Sequence, residues 1–292
     1  MSGEANPNAI LLGLIGAPIR HSASPAMHAA MAAALGRRAY YHLIEVADAD
    51  RAALTAMLEG VRRLGFSGVN VTYPYKEAVV PLLDLLAPGA AAIGAVNTVV
   101  VQNGRLVGHN TDATGFARAY RDVIAAPLHN PVALVGAGGV GRAIAHALAD
   151  LKAPSLRIFD RDRAKAEALA DSLGSHMPAV ICASVEMALD GAGGVVNATP
   201  VGMLPNRDSP VPGGQLRADL WVADAVYTPL WTPLLLAAQK AGAKVMTGRE
   251  LGIYQALDAF RLFTGLDPSH AAAAEAFDEV MRARLAKESA TR

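Results

Sequence analysis

The sequence predicts an α/β protein with two domains. One is an N-terminal α/β domain and the other a doubly wound parallel sheet, with C-terminal helices returning to the first. Three observations predict this. Apolar strand-like runs alternate with helix-like segments, a mid-chain apolar run ends in a glycine loop, and the pattern after residue 248 is helical only. With 292 residues, 52% hydrophobic and 18% charged, the chain can bury cores for about two domains. The first is read over 1–112 with 249–292, the second over 113–248.

Strand-like runs at 11–16, 39–46 and 68–72 alternate with helix-like runs at 25–35, 50–64 and 74–86. Ser24 stands at the expected N-cap of the first helix and Pro25 at its first helical position. The run Gly68-Val-Asn70-Val-Thr72-Tyr-Pro74-Tyr-Lys76 reads as a strand leaving through a turn into a new helix. Lys76 would sit in that helix's first turn, where a cation opposes the dipole and shifts weight from structure toward function. Strands at 98–102 and 105–108 flank Asn103-Gly104, a pair preferred in two-residue hairpin turns.

A helix over 112–123 then leads into the second domain, with strands expected near 132–135, 155–159, 179–182, 194–197, 220–226 and 244–246. Helices over 249–263 and 268–287 follow, and residues 288–292 are expected to be a disordered tail.

The run Val132-Ala-Leu-Val-Gly136-Ala137-Gly138-Gly139-Val140-Gly141 enters an Ala/Leu-rich helix, which is the first crossover of a Rossmann-type dinucleotide-binding fold. Gly136 permits the tight turn, Gly138 lets backbone approach a pyrophosphate, and Gly141 lets the helix pack on its strand. A second strand ends at Asp160, nineteen residues beyond Gly141, where an acid binds the adenosine ribose hydroxyls. That carboxylate repels a 2′-phosphate, and Asp162 adds charge beside it. Arg161 and Arg163 could instead clamp a phosphate, so NAD is the expected cofactor and NADP a possible second one. Asp162 also reads as an ordinary helix cap on a solvated face.

Lysine plus arginine equals aspartate plus glutamate at 26 each, and no basic run is interleaved with aromatics. Neither a nucleic-acid nor a membrane partner is expected. The single cysteine, Cys182, lies in an apolar stretch and reads as a core residue; no metal site is expected. Residues 1–7 carry no charged-then-apolar leader and the apolar runs are broken by Gly or Pro, which predicts a cytoplasmic location.

Ser22 and Ser24 before a helix can donate to a small carboxylate. Asn97-Thr98, the Asn110-Thr111-Asp112 cluster and Gln255 each read, taken singly, as turn, cap or helix-face chemistry. His21 and His109 read as hydrogen-bonded turn histidines.

Together, HSASP (21–25), GVNVTYPYK (68–76), AVNT (95–98), GHNTDATG (108–115), GAGGVG (136–141), NATPVGM (197–203), DAVYTP (224–229) and the Gln255 helix resemble the shikimate/quinate dehydrogenase family. The resemblance covers nearly the whole chain, in order. It implies that Ser22 and Ser24 hold the substrate carboxylate, while Asn70, Thr72, Asn97, Asp112 and Gln255 bind ring hydroxyls. Lys76 and Asp112 would be the catalytic pair, with Lys76 transferring the proton and Asp112 orienting it and binding the reacting hydroxyl. Asn197, Ala198, Thr199, Pro200, Val226, Tyr227 and Gly248 would surround the nicotinamide, Tyr227 also reaching substrate, with the substrate between the domains.

The implied reaction interconverts shikimate and 3-dehydroshikimate, and quinate and 3-dehydroquinate, by hydride transfer. At the adenosine pocket the run Asp160-Arg161-Asp162 departs from the Asn-Arg-Thr-like run of NADP-using biosynthetic members and resembles the NAD-preferring branch. Ser24 points the other way, because quinate-favouring members carry threonine there, so the preferred acid stays open. A strictly biosynthetic NADP-dependent enzyme, an aminoshikimate-type dehydrogenase and a metabolite sensor are the alternatives; the intact Lys76 and Asp112 weigh against the sensor. A monomer or homodimer is expected.

Overall fold

The computed structural model describes residues 9–290. The expected leaderless start at 1–7 and the last two residues of the expected tail lie outside the described residues. The chain divides into two compact units, Met1–Thr111 with Gln255–Arg292, and Asp112–Tyr254.

The first unit begins with β1 (Ala9–Gly16), α1 (Ser24–Ala34), β2 (Arg38–Glu45), α2 (Arg51–Arg63) and β3 (Gly68–Val71). It continues through β4 (Leu85–Leu86), α3 (Pro88–Ile93), β5 (Thr98–Gln102) and β6 (Arg105–His109). Asp50 caps α2 by accepting the Ala53 N–H at 2.8 Å, and Leu54, Leu58 and Val61 form its buried stripe. Those residues pack on Ile15, Val69 and Val99. The six strands order as β2-β1-β3-β5-β6-β4. The expected hairpin is present: Asn103 and Gly104 have φ of 52° and 74°, as a primed turn requires.

The helix expected over 74–86 is absent. In its place stand a turn, a single 3-10 turn at Val80–Leu82 and the two-residue β4. Pro81 lacks an N–H and disfavours a helical residue before it, so a helix through this stretch would break at its middle. The freed segment pairs with β6 instead, and Asp84 accepts the Leu106 N–H at 2.7 Å. That N–H first, and then the Arg62 guanidinium, hold the Asp84 carboxyl below the usual range.

The second unit begins after the first residue of α4 (Thr111–Ala119) and continues through a π-turn at Tyr120–Ile124, β7 (Val132–Val135), α5 (Gly139–Asp150), β8 (Leu156–Phe159), α6 (Arg163–Leu173) and β9 (Ala179–Ile181). It continues α7 (Val185–Leu189), β10 (Gly194–Asn197), β11 (Trp221–Asp224), α8 (Pro233–Lys240) and β12 (Lys244–Met246). Every strand pairing is parallel, in the order β12-β11-β10-β7-β8-β9. The order reverses between β7 and β10, the switch point outside which such sheets bind ligands. Both faces are covered. Ile144, Leu148, Leu169 and Phe116 lie in one apolar cluster, while Val185, Leu189, Leu234 and Leu235 lie in the other with buried Cys182.

α9 (Gly248–Thr264) and α10 (His270–Ala290) complete the chain, and α10 packs along α1 in the first unit, as the fold prediction requires. Residues 288–290, expected to be disordered, continue α10 because no Gly or Pro stops it.

Candidate active site

Within the first unit the motifs converge on one end of the sheet. β1 and β3 are parallel, β5 is antiparallel to both and β6 to β5, so the ends of β1, β3 and β6 meet the start of β5. After β1 the chain reaches Ser22 and Ser24. Glu45 pairs with Arg20 and accepts the Ile19 N–H at 3.2 Å, and these, Arg20 first, hold its carboxyl below the usual range. Ser24 is not the N-cap of α1: the first helical bond runs from Met27 N–H to the Ala23 carbonyl at 3.1 Å, one residue earlier than expected. Ala23 supplies no side-chain cap, and Ser22 Oγ, one residue further out, accepts the Ser24 N–H at 3.2 Å in a local serine turn.

Asn70 and Asn97 come together in one buried network. Asn70 Nδ2 donates to the Asn97 carbonyl at 3.2 Å and to Thr98 Oγ1 at 3.0 Å, while Asn70 Oδ1 accepts the Tyr41 hydroxyl at 2.9 Å. Both Nδ2 hydrogens of Asn70 are thereby used, leaving it acceptor capacity only. Asn97 Oδ1 accepts the Thr98 hydroxyl at 3.0 Å and the Thr111 N–H at 2.8 Å, and Asn97 Nδ2 donates to Thr111 Oγ1 at 2.9 Å. This fixes the start of α4, whose first turn carries buried Asp112. Thr72 accepts the Tyr75 N–H through its carbonyl at 2.9 Å, and Lys76 follows in the turn, its carbonyl accepting the Val96 N–H at 2.8 Å. Lys76 thus sits in no helical first turn, and the dipole argument for it falls with the helix over 74–86. His109 ends β6, and burial lowers its imidazole pKa.

In the second unit, Gly136 follows β7 at φ +105°, and a Cβ there would meet the Ala198 carbonyl carbon and oxygen at 2.9 Å. A Cβ on Gly141 would stand 2.1 Å from the Gly136 oxygen, while one on Gly138 would meet nothing within 4 Å. Gly138 is the N-cap of α5, with Gly139, Val140 and Gly141 in its first turn. The loop is closed where strand and helix pack and open at the helix N-terminus, where unpaired backbone N–H groups favour an anion. Asp160 directly follows β8: its Oδ2 accepts the Ala137 N–H at 2.7 Å and its Oδ1 the Asp162 N–H at 2.9 Å. Arg163 pairs with Glu167 at 2.8 Å, and Asp162 caps α6 through Ala164.

Asn197, Ala198, Thr199 and Pro200 lead out of β10. Asn197 is fully buried, its side chain bonding Thr199, Val201 and Asp224. Val226 follows β11 and comes against buried Gly248, whose Cβ would lie 2.6 Å from the Val226 oxygen. Tyr227 is half-buried beside it. Tyr254, one residue before Gln255 on α9, bonds Asp122 through its hydroxyl, and Arg118 lies 5.1 Å from its ring centre. Burial first and then Asp122 push its phenol up to about 12. Tyr41 and Thr232 lie outside every motif singled out in the sequence, although the alternation along β2 marks Tyr41 as a half-buried position.

Among the described residues no group of three or more His, Cys, Asp or Glu could hold a metal ion, and no helix is long and apolar enough to cross a membrane.

The shikimate dehydrogenase substrate binding domain family matches residues 14–99. A quinate/shikimate dehydrogenase (NAD(+)) of Corynebacterium efficiens is 44% identical over 272 residues, 90% of this chain and 95% of the relative. The solved quinate dehydrogenase from Corynebacterium glutamicum in complex with NAD superposes with a TM-score of 0.85 at 41% identity, covering 93% of this chain and 99% of the other. The shikimate 5-dehydrogenase of Thermus thermophilus in complex with NADP(H) and shikimate does so with a TM-score of 0.83 at 40% identity, covering 93% and 99%.

Proposed function

The chain belongs to the shikimate/quinate dehydrogenase family, and from that premise we propose that it is an NAD-preferring oxidoreductase interconverting shikimate with 3-dehydroshikimate and quinate with 3-dehydroquinate. The observation that carries the reading is the Asp160 carboxylate, fixed by the Ala137 N–H at the end of β8 beside the glycine loop. So held, it can accept a ribose hydroxyl and repels a 2′-phosphate.

The dinucleotide would be held by the loop from Gly136 through Val140, by Asp160, and by Ala198, Thr199, Pro200, Val226 and Gly248. When bound it supplies the hydride acceptor or donor. The chain's own residues do the rest. Ser22 and Ser24 hold the carboxylate of the acid. Thr72 and Gln255, with Asn70 as an acceptor and Asn97 as scaffold, orient the ring, and Tyr227 contacts it. Lys76 Nζ takes the proton from the reacting hydroxyl in oxidation and returns it in reduction, while Asp112 binds that hydroxyl and fixes the ammonium. The first unit is the substrate-binding part and the second the cofactor-binding part. We place the enzyme in the cytoplasm, as a monomer or homodimer without nucleic-acid or membrane partners.

Arg161 and Arg163 favour a second reading, an NADP-dependent biosynthetic shikimate dehydrogenase, because guanidinium groups bind phosphate. Comparing kcat/KM for shikimate and quinate with NAD and NADP separates the two. NAD-dependent turnover of both acids supports the first reading; NADP-dependent turnover of shikimate alone replaces it with the second.

A further inference from the structure

Asn197 closes β10 and Asp224 closes β11, and the parallel register sets these residues side by side. Asn197 Nδ2 donates to Asp224 Oδ1 at 2.9 Å. The same oxygen accepts the Val226 N–H at 2.9 Å, and Oδ2 accepts the Thr232 hydroxyl at 2.7 Å. Thr232 in turn caps α8 by accepting the Leu235 N–H. Asn197 uses its remaining capacity on its own loop, accepting from the Thr199 N–H and hydroxyl and donating to the Val201 carbonyl. One carboxyl group, 2% exposed, therefore joins the loop after β10, the loop after β11 and the start of α8.

Three incoming donors suit an ionised carboxylate, which has no hydrogen of its own to place. Burial opposes that charge and pushes the group up to about 7 against the pull of Thr232, Val226 and Asn197. The groups facing it are the Asn197 amide from β10, the Val226 N–H from its own loop and the hydroxyl of Thr232, the N-cap of α8; among the described residues no charged side chain contributes. Protonation leaves Oδ2 with a hydrogen, so the Thr232 hydroxyl must turn from donor to acceptor while still capping α8.

We propose that Asp224 is a positioning residue for the dinucleotide: through Asn197 and Val226 its carboxylate sets the two loops that receive the nicotinamide half, and its protonation loosens them. The proposal rests on the reading of those loops as cofactor-binding. It separates Asp224 from the chemistry at Lys76, because the effect falls on cofactor binding and leaves proton transfer untouched.

The test is calorimetric titration of NAD into wild type and Asp224→Asn between about pH 5.5 and about pH 8.5. Asparagine reproduces the neutral carboxyl, donating to Thr232 and accepting from Asn197 and Val226. Wild-type Kd is expected to rise roughly tenfold as pH falls through the titration, because charge-assisted bonds become neutral ones. Asp224→Asn is expected to stay at the weak value across the range, with KM for the acid at saturating NAD within about twofold of wild type. A folded Asp224→Asn that binds NAD with wild-type strength and wild-type pH dependence overturns the proposal. Should that variant not fold, Thr232→Val and Thr232→Ser decide. Valine is expected to weaken NAD binding and move the pH midpoint upward and serine to restore both, whereas a wild-type profile for valine overturns the proposal. A wild type that binds no NAD at any pH fails the cofactor reading itself and takes the proposal with it.

Discussion

The backbone N–H of Ala137 donates to Asp160 Oδ2 at 2.7 Å, so the acid that directly follows β8 also holds the glycine loop that follows β7. Its other oxygen is held by the Asp162 N–H at 2.9 Å. A carboxylate anchored through both oxygens presents its remaining lone pairs in fixed directions. On the proposed reading of Asp160 as the ribose acceptor, cofactor choice and loop shape would be linked at one residue.

Asp160→Asn keeps an oxygen for one of those N–H groups and removes the charge. The expected result is a fall in kcat/KM with NAD of about tenfold to a hundredfold, and a gain with NADP as repulsion of the 2′-phosphate disappears and Arg161 remains beside it. Arg163 contributes less, because Glu167 pairs with it. Steady-state kinetics with both cofactors check this; an unchanged NAD-to-NADP ratio removes Asp160 from cofactor choice.

Lys76→Ala tests the proton-transfer role. The Lys76 carbonyl bond to Val96 does not involve the side chain, so the turn is retained. Turnover is expected to fall by about a hundredfold to ten-thousandfold, with a much smaller change in KM for the acid. Near-normal turnover would assign the proton to another group.

Legibility in the sequence followed the range of the interactions. The parallel sheet of the second unit and the Asn103-Gly104 hairpin are carried by local signals, apolar runs and turn residues whose backbone preferences suffice. The stretch 74–86 misled because its apolar residues fit a helical stripe, while Pro81 and the pairing of Leu85 and Leu86 with β6 decided the outcome. The family resemblance implied Asn70 and Asn97, yet nothing local in the sequence could reveal that Thr98 and the Asn97 carbonyl take both amide hydrogens of Asn70 while Tyr41 donates to its oxygen, since these contacts join separate strands. Asp224 was visible only as the first residue of the motif at 224–229, inside a strand expected over 220–226; its junction with Asn197 and Thr232 exists only once β10 and β11 are paired.

His28 supplies a stability prediction. Its ring is buried beside Tyr41, Phe260 and Phe263, and among the described residues neither nitrogen has a hydrogen-bond partner. Burial pushes the imidazole down to about 3. The folded state therefore keeps it neutral while the unfolded chain takes up a proton below about 6.5, so stability is present above that pH and lost as pH falls toward 3. Its contribution has a slope approaching about 1.4 kcal/mol per pH unit inside that window. Urea midpoints of wild type and His28→Phe are expected to differ by an amount that grows on acidification, and a constant difference would locate the acid sensitivity elsewhere.

The glycine loop allows packing and cofactor binding to be separated by two substitutions three residues apart. Gly141→Ala forces a Cβ to 2.1 Å from the Gly136 oxygen, so the strand and helix must part. It is expected to lower Tm by several degrees through a cost of about 1–3 kcal/mol. Gly138→Ala meets nothing within 4 Å and needs no positive φ, so Tm should stay within about 2 °C of wild type. Its added methyl nevertheless stands at the open helix N-terminus where backbone must come close to a pyrophosphate, and Kd for NAD is expected to rise by about tenfold or more. Thermal melts with and without NAD give both numbers. If Gly138→Ala bound NAD as tightly as wild type while Gly141→Ala lost stability, the loop would be a packing device alone, and the dinucleotide would have to lie elsewhere along the carboxyl ends of β7, β8 and β10.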